Sequence, residues 1–298
     1  MMRKSSKVKI ISGDRVFDLV VYTLAFFMVL LIAYPLWFVI LASFSSASDI
    51  SRGEVWIWPK EWLLDGYREL INQKDVWTGY RNTIFYTITG TLFSTSVNVS
   101  AGFALSRKEL LGRKWISIFY LIPMFVSGGL IPTFLVVKQF GFVDSFWVMI
   151  IPFAVSCYNI IVSRTFFSNS LPDGLWEAAQ IDGCGTLRYF FRIALPLSKA
   201  ILAVNALWTA VWLWNSWFNA LIYLNTESLQ PLQLALRRIL IINATGAGTV
   251  GQEAIEMRNK ADMMRYGAIV ISTLPIMCLY PFLQKYFNQG VMIGSLKE

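Results

Sequence analysis

The sequence contains no histidine. That removes the usual metal ligand and the usual general base near neutral pH. Cysteine is nearly as scarce. Cys157, Cys184 and Cys278 are scattered and show neither disulfide-framework nor zinc spacing. Charge is thin as well: Asp, Glu, Lys and Arg make up 15% of the 298 residues, against about 25% in soluble domains. No G-x-x-x-x-G-K-[ST] run occurs, so the chain lacks that nucleotide-binding loop. Any ATP hydrolysis it depends on must come from a partner. There is no internal repeat, and no span carries the buried carboxylates that ion-coupled secondary transporters use.

What the chain has instead is apolar length. It is 56% hydrophobic, with a mean hydropathy of +0.53. A helix needs about 20 apolar residues to cross the hydrocarbon core. Six segments qualify: residues 15–42, 80–105, 115–137, 145–167, 199–224 and 265–285. The basic N-terminus is followed by an apolar run without a small-residue cleavage site, which reads as a first span and not a removable signal. The expected fold is therefore all-α, a polytopic membrane protein with six transmembrane helices in one domain, 1–298.

The net charge of +8 is mostly a topology signal. Arg3, Lys4, Lys7, Lys9, Arg15, Arg107, Lys108, Arg113, Lys114, Arg164, Arg188, Arg192, Lys199, Lys285 and Lys297 all fall on one side of six spans. By the positive-inside rule that side, with both termini, is cytoplasmic. This distribution argues against nucleic acid as a partner. The outer side receives two long connections, 43–79 and 225–264. The first carries Trp56, Trp58, Trp62 and Trp77, suited to a membrane–water boundary. The second combines apolar Leu229–Ile242 with a glycine-rich run and a charged stretch. It reads either as a functional loop or as a solvated insertion.

The segment Leu171–Ala200 is the longest charge-bearing amphipathic interval between two apolar blocks. Pro172 suits a first helical position, Asp182-Gly183 reads as a helix stop, and Thr186 can cap a second short helix running to Pro196. The fifth span places Asn205, Trp208, Trp212, Asn215 and Asn219 at steps of three and four, on one helix face that omits Trp214. Aromatic rings stack on the apolar faces of sugars while amides bond hydroxyls, so this stripe fits a carbohydrate path. It fits equally well a set of amides joining helices and tryptophans anchoring interfaces. Tyr158, Asn159, Asn82, Thr83 and Tyr86 are further polar groups in spans, for which packing is the simpler account.

Glu177-Ala178-Ala179, three residues, Gly183, nine residues, Ile193, one residue, Leu195-Pro196 resembles the E-A-A loop of ABC importer permeases. The resemblance extends over nearly the whole chain. Tyr80-Arg81-Asn82-Thr83, Gly128–Thr133, Trp214–Ala220 and Gly290–Gly294 resemble the carbohydrate-uptake branch, and more closely its subgroup for polysaccharide-derived, uronate-rich oligosaccharides such as alginate or pectin fragments. Cys184 departs from the alanine common in relatives. The resemblance implies the type I importer permease fold, with a cytoplasmic coupling helix in the loop at 169–198. Glu177, Ala178, Ala179, Asp182, Gly183, Ile193 and Pro196 would face the ATPase. It implies a non-catalytic subunit in a bacterial inner membrane, beside a homologous second permease, two ATPase subunits holding ATP and Mg, and an extracytoplasmic solute-binding protein. A non-sugar solute, or less readily a secondary transporter, are the alternatives.

Overall fold

The computed structural model describes residues 12–245 and 261–278. In chain order its helices are α1 (Ser12–Ser43), α2 (Ala47–Ser51), α3 (Asp65–Asn72), α4 (Lys74–Ser106), α5 (Arg113–Phe125) and α6 (Leu130–Gln139). There follow α7 (Cys157–Ser170), α8 (Asp173–Ile181), α9 (Thr186–Tyr189), α10 (Leu195–Leu197), α11 (Lys199–Trp214), α12 (Trp217–Tyr223) and α13 (Leu232–Thr245). Residues 261–278 are helical, and no strand occurs among the described residues. The chain forms two compact units. One comprises Met1–Leu70 with Asn243–Val270, the other Ile71–Ile242 with Ile271–Glu298.

In the first unit, α1 is apolar on every side. From Arg15 to Ser43 its most apolar window has a mean hydropathy of 2.6 and is only 6% buried. A helix apolar all round and uncovered by protein is shaped for lipid. The chain after α1 turns back on it. The Leu63 N–H donates to the Phe44 carbonyl at 2.8 Å, and the Tyr67 hydroxyl meets Ser43 Oγ at 2.7 Å. Gly66 lets α3 touch the 261–270 helix, since a Cβ there would lie 2.7 Å from the Met263 carbonyl oxygen. Trp56, Trp58 and Trp62 stay exposed.

The second unit is built on α4. Its glycines face the helices that approach closest. A Cβ on Gly79 would lie 2.8 Å from Leu232 Cα, and one on Gly102 would lie 2.9 Å from the Arg164 nitrogen. Buried Asn98 does a different task. Its Oδ1 accepts from the Ser156 N–H at 2.9 Å, and its Nδ2 donates to the Ala154 carbonyl at 3.1 Å. Ser94 Oγ donates to the same carbonyl at 2.7 Å. The chain between the short 3₁₀ turn Phe146–Met149 and α7 is not helical, so its backbone groups need partners elsewhere, and α4 supplies them.

Several expected spans are therefore not single helices. The segment 115–137 is α5 and α6 separated by Val126–Gly129, where Gly129 adopts φ +84°. The segment 145–167 begins in the 3₁₀ turn and becomes α-helical only at Cys157. The segment 199–224 breaks at Asn215-Ser216 into α11 and α12. Among the described residues one helix is long and apolar enough to cross a membrane alone. A second arises only if Thr186–Leu197 and Lys199–Trp214, bent by 82°, count as one span. Arg3, Lys4, Lys7, Lys9, Lys285, Lys297, Gly290–Gly294 and most of the glycine-rich run lie outside the described residues.

Candidate solute clefts and coupling loop

Helix α8 follows from its sequence. Trp176 and Ala179 form its buried stripe, packed with Phe103, Phe167, Tyr189 and Phe190, while Glu177 and Ala178 face outward. Pro172, expected at the first helical position, takes the cap instead, and Asp173 starts the helix. The stop is as expected. Gly183 adopts φ +70°, its N–H bonds the Gln180 carbonyl at 3.0 Å, and the Cys184 N–H bonds Ala179 at 2.8 Å. This pair of bonds around a left-handed glycine is the Schellman closure. A Cβ on Gly183 would meet nothing within 4 Å. Ile181 and Leu187, flanking the turn, are 87% and 75% exposed.

The second half of the loop departs from expectation. Gly185, not Thr186, occupies the cap of α9, and no side chain caps it. The helix also does not stop before Pro196. It widens to a π turn over Phe190–Ala194, where the Leu195 N–H reaches back to Phe190, and continues through Pro196 to Leu197. Proline offers no N–H and its ring crowds the carbonyl four residues back, so a widened turn ahead of it lets the helix pass. Ile193 is half-buried against the core and Pro196 is exposed. At the edge of this core the Arg107 guanidinium lies 5.0 Å from the Phe103 ring centroid. Lys108 and Asp173 pair at 2.7 Å on the surface, which raises the lysine pKa and lowers the aspartate's.

The amide–aromatic stripe divides. Asn205 is fully buried, donating to Ser163 Oγ at 3.0 Å and the Ile201 carbonyl at 3.1 Å, so it joins α11 to α7. Trp208 and Trp212 line two clefts at once. One, of about 710 Å³, adds Thr87, Asn215, Phe218 and Asn219. The other, of about 520 Å³, adds Tyr158, Asn159 and Phe153. The Tyr158 and Trp208 rings are 5.3 Å apart. Among the described residues, no carboxylate lines either cleft. Because α11 ends at Trp214, Asn215 is a cap residue, its Nδ2 donating to Val211, and the single helix face expected over 205–219 does not persist.

Asn82, Thr83 and Tyr86 instead grip the chain between α12 and α13. Asn82 Nδ2 donates to the Ser228 and Gln230 carbonyls at 2.8 and 3.0 Å, Tyr86 donates to Leu229, and Thr83 Oγ1 accepts from Leu232. Trp214, outside the stripe, is buried and donates to the Ser272 carbonyl at 2.9 Å.

The family model described as "Binding-protein-dependent transport system inner membrane component" matches residues 90–293. The chain belongs to this family. It is 34% identical over 284 residues to the polygalacturonan/rhamnogalacturonan transport system permease protein YtcP of Bacillus subtilis (strain 168), covering 95% of this chain and 99% of that one. To the protein LplC of the same organism it is 37% identical over 266 residues, 88% of each. A solved bacterial ABC transporter involved in import of the acidic polysaccharide alginate contains a chain that superposes with a TM-score of 0.84 at 30% identity. The match covers 94% of this chain and all of that one.

The region shared with this inner-membrane transport family contains the whole α8–α10 loop and α11. Sequence patterning does not single out Thr87, Phe153, Trp214 and Phe218, which also line these clefts. The regular spacing of threonines on α4 was a legible signal for the first. For the aromatics there was none, because rings are common throughout the chain.

Proposed function

We propose that the chain is a permease subunit of an ABC importer for polysaccharide-derived, uronate-containing oligosaccharides. The observation that carries the substrate class is the pair Trp208 and Trp212, each facing two clefts whose rims hold the amides of Asn215, Asn219 and Asn159. Stacking rings with neighbouring amides suit a ligand that has apolar faces and many hydroxyls. A cleft of about 710 Å³ lies within the usual range for small-ligand sites, about 300–1,000 Å³. The relatives for polygalacturonan and alginate support the acidic branch.

In this reading the chain pairs with a homologous permease and crosses the membrane six times, several spans being broken helices, with both termini inside. An extracytoplasmic binding protein delivers the solute. ATP and Mg belong to two ATPase subunits, which dock on the exposed turn around Glu177, Ala178, Asp182 and Gly183. The Arg238 guanidinium is not a free cation for steering an acidic solute. That guanidinium is engaged by Asp75 at 2.6 Å and by Glu227. Arg237 lies 3.9 Å over the Trp217 ring.

The test is ATPase activity of the reconstituted four-component complex, screened with neutral and uronate oligosaccharides on the binding protein. Stimulation by uronate oligosaccharides is expected. Stimulation by neutral oligosaccharides alone would replace the uronate assignment.

A further inference from the structure

Helix α4 carries threonine at 83, 87, 91 and 95, one every four residues and so on one face. Thr83 is used, accepting the Leu232 N–H. The hydroxyls of Thr87, Thr91 and Thr95 are buried and have no hydrogen-bond partner among the described residues. Elsewhere on the same helix the hydroxyls fold back: Thr89 donates to the Phe85 carbonyl at 2.6 Å and Ser96 to Leu92 at 2.7 Å. Burying an unpaired hydroxyl is costly, and valine has nearly the same shape without that cost. Packing alone therefore does not account for three such hydroxyls in register.

Their positions do. Thr87, 9% exposed, lines the cleft of Trp208, Trp212, Asn215 and Asn219. Thr91 and Thr95 line a different cleft of about 700 Å³, bounded by Phe190, Phe191, Leu195 and Lys199 at the coupling-loop end of α11. The row thus runs from one cleft to the other. Beside it α4 and α11 meet closely, because a Cβ on Gly90 would lie 2.6 Å from Leu213 Cδ1. Among the described residues, no carboxylate lines either cleft.

We propose that these two clefts are successive stations of one solute path, and that Thr87, Thr91 and Thr95 are the hydrogen-bonding wall of the neck between them. The neck is closed here and opens when α4 and α11 part at Gly90 and Leu213. Its hydroxyls then exchange partners with the hydroxyls of a passing saccharide. Each can donate and accept, so the wall serves a polyhydroxylated ligand in any register. The ligand class rests on the oligosaccharide reading above. The assignment of the neck rests on the α4 threonines and the close approach of α4 to α11.

The experiment uses the assembled transporter, with Thr91→Val, Thr95→Val, their Ser counterparts, and Thr89→Val as a control on another face. At equal membrane abundance, each Val variant should lose roughly five- to tenfold in saccharide uptake, the worth of about one hydrogen bond. The Ser variants should recover most of it, and Thr89→Val should match the parent. In addition, a thiol reagent should modify Thr91→Cys during turnover, and saccharide on the binding protein should slow the modification. Val variants that import like the parent, together with an unmodified cysteine, overturn the neck. So does uptake lost only because the Val variants fail to assemble with the second permease, which would make the row helix-joining. A parent complex that moves no saccharide at all overturns the substrate reading, and the saccharide neck with it.

Discussion

Gly183 offers a clean perturbation of coupling, because within this chain almost nothing opposes a side chain there. The residue holds φ +70° and a Cβ would meet no atom within 4 Å. The cost of Gly183→Ala is then the left-handed strain alone, about 1–2 kcal/mol. Asparagine visits this region more readily, so Gly183→Asn costs less still. Either loss is small against the 5–15 kcal/mol typical of a folded domain. The variants should therefore insert and assemble, with the two closing bonds from Gly183 and Cys184 retained in Gly183→Asn. If the open space above the turn receives an ATPase subunit, a side chain there obstructs docking regardless of the turn's own energy. We expect ATP hydrolysis stimulated by loaded binding protein to fall more than about tenfold, equivalent to 1.4 kcal/mol, in Gly183→Asn and Gly183→Asp alike. The assay is stimulated ATPase in proteoliposomes at matched subunit stoichiometry. Stimulation in Gly183→Asn within twofold of the parent would refute the docking argument, since only strain would then matter at this position.

Three further outcomes follow from the geometry. Trp212→Ala should lower saccharide uptake at normal abundance, whereas Trp214→Ala should lower abundance itself by removing a buried ring and its bond to Ser272, a change in the class that costs about 3–5 kcal/mol; uptake and immunoblotting of the two variants check this. Gly102→Ala should destabilise the detergent-solubilised protein by about 1–3 kcal/mol, because its Cβ would meet the Arg164 nitrogen at 2.9 Å and the Ile160 carbonyl at 3.0 Å; Gly174→Ala, with open space around it, should leave the melting temperature unchanged or slightly raised. Asp144, at φ +56°, accepts from the Thr226 and Asn225 amides and the Thr226 hydroxyl, which hold its pKa below the ordinary value. A lowered folded-state pKa means that this stabilisation is present above the ordinary carboxylate range and is lost as pH falls through the lowered value; hydrogen exchange at residues 225–226 should accelerate only in acid, and Asp144→Asn should abolish that dependence.

Some features needed only the sequence. The lipid-facing character of α1 follows from an uninterrupted apolar run with no face to bury. The closure of α8 at Gly183 follows from a local rule, since a left-handed residue that satisfies the last carbonyls is nearly always glycine. Both depend on interactions within a few residues, and the pattern of the chain records such interactions directly. The spacing of Glu177, Gly183 and Pro196 belongs with them.

The rest depended on contacts between distant residues. Asn98 looks like any amide in a span, yet it supplies the backbone partners that allow residues 150–156 to leave the helix. Asn205, Asn215 and Asn219 are alike in sequence, but one is sealed against Ser163 and two face a cleft. Arg238 is one more basic residue in an outer connection by sequence, yet Asp75 and Glu227 both pair with it. Hydropathy and periodicity report that a residue is polar and on which face of its helix it lies. They do not report which donor or acceptor, 163 positions away in the Arg238–Asp75 pair, comes to meet it. That choice belongs to the packing of α4 against its neighbours, where each buried polar group must find a partner or bear the cost of having none.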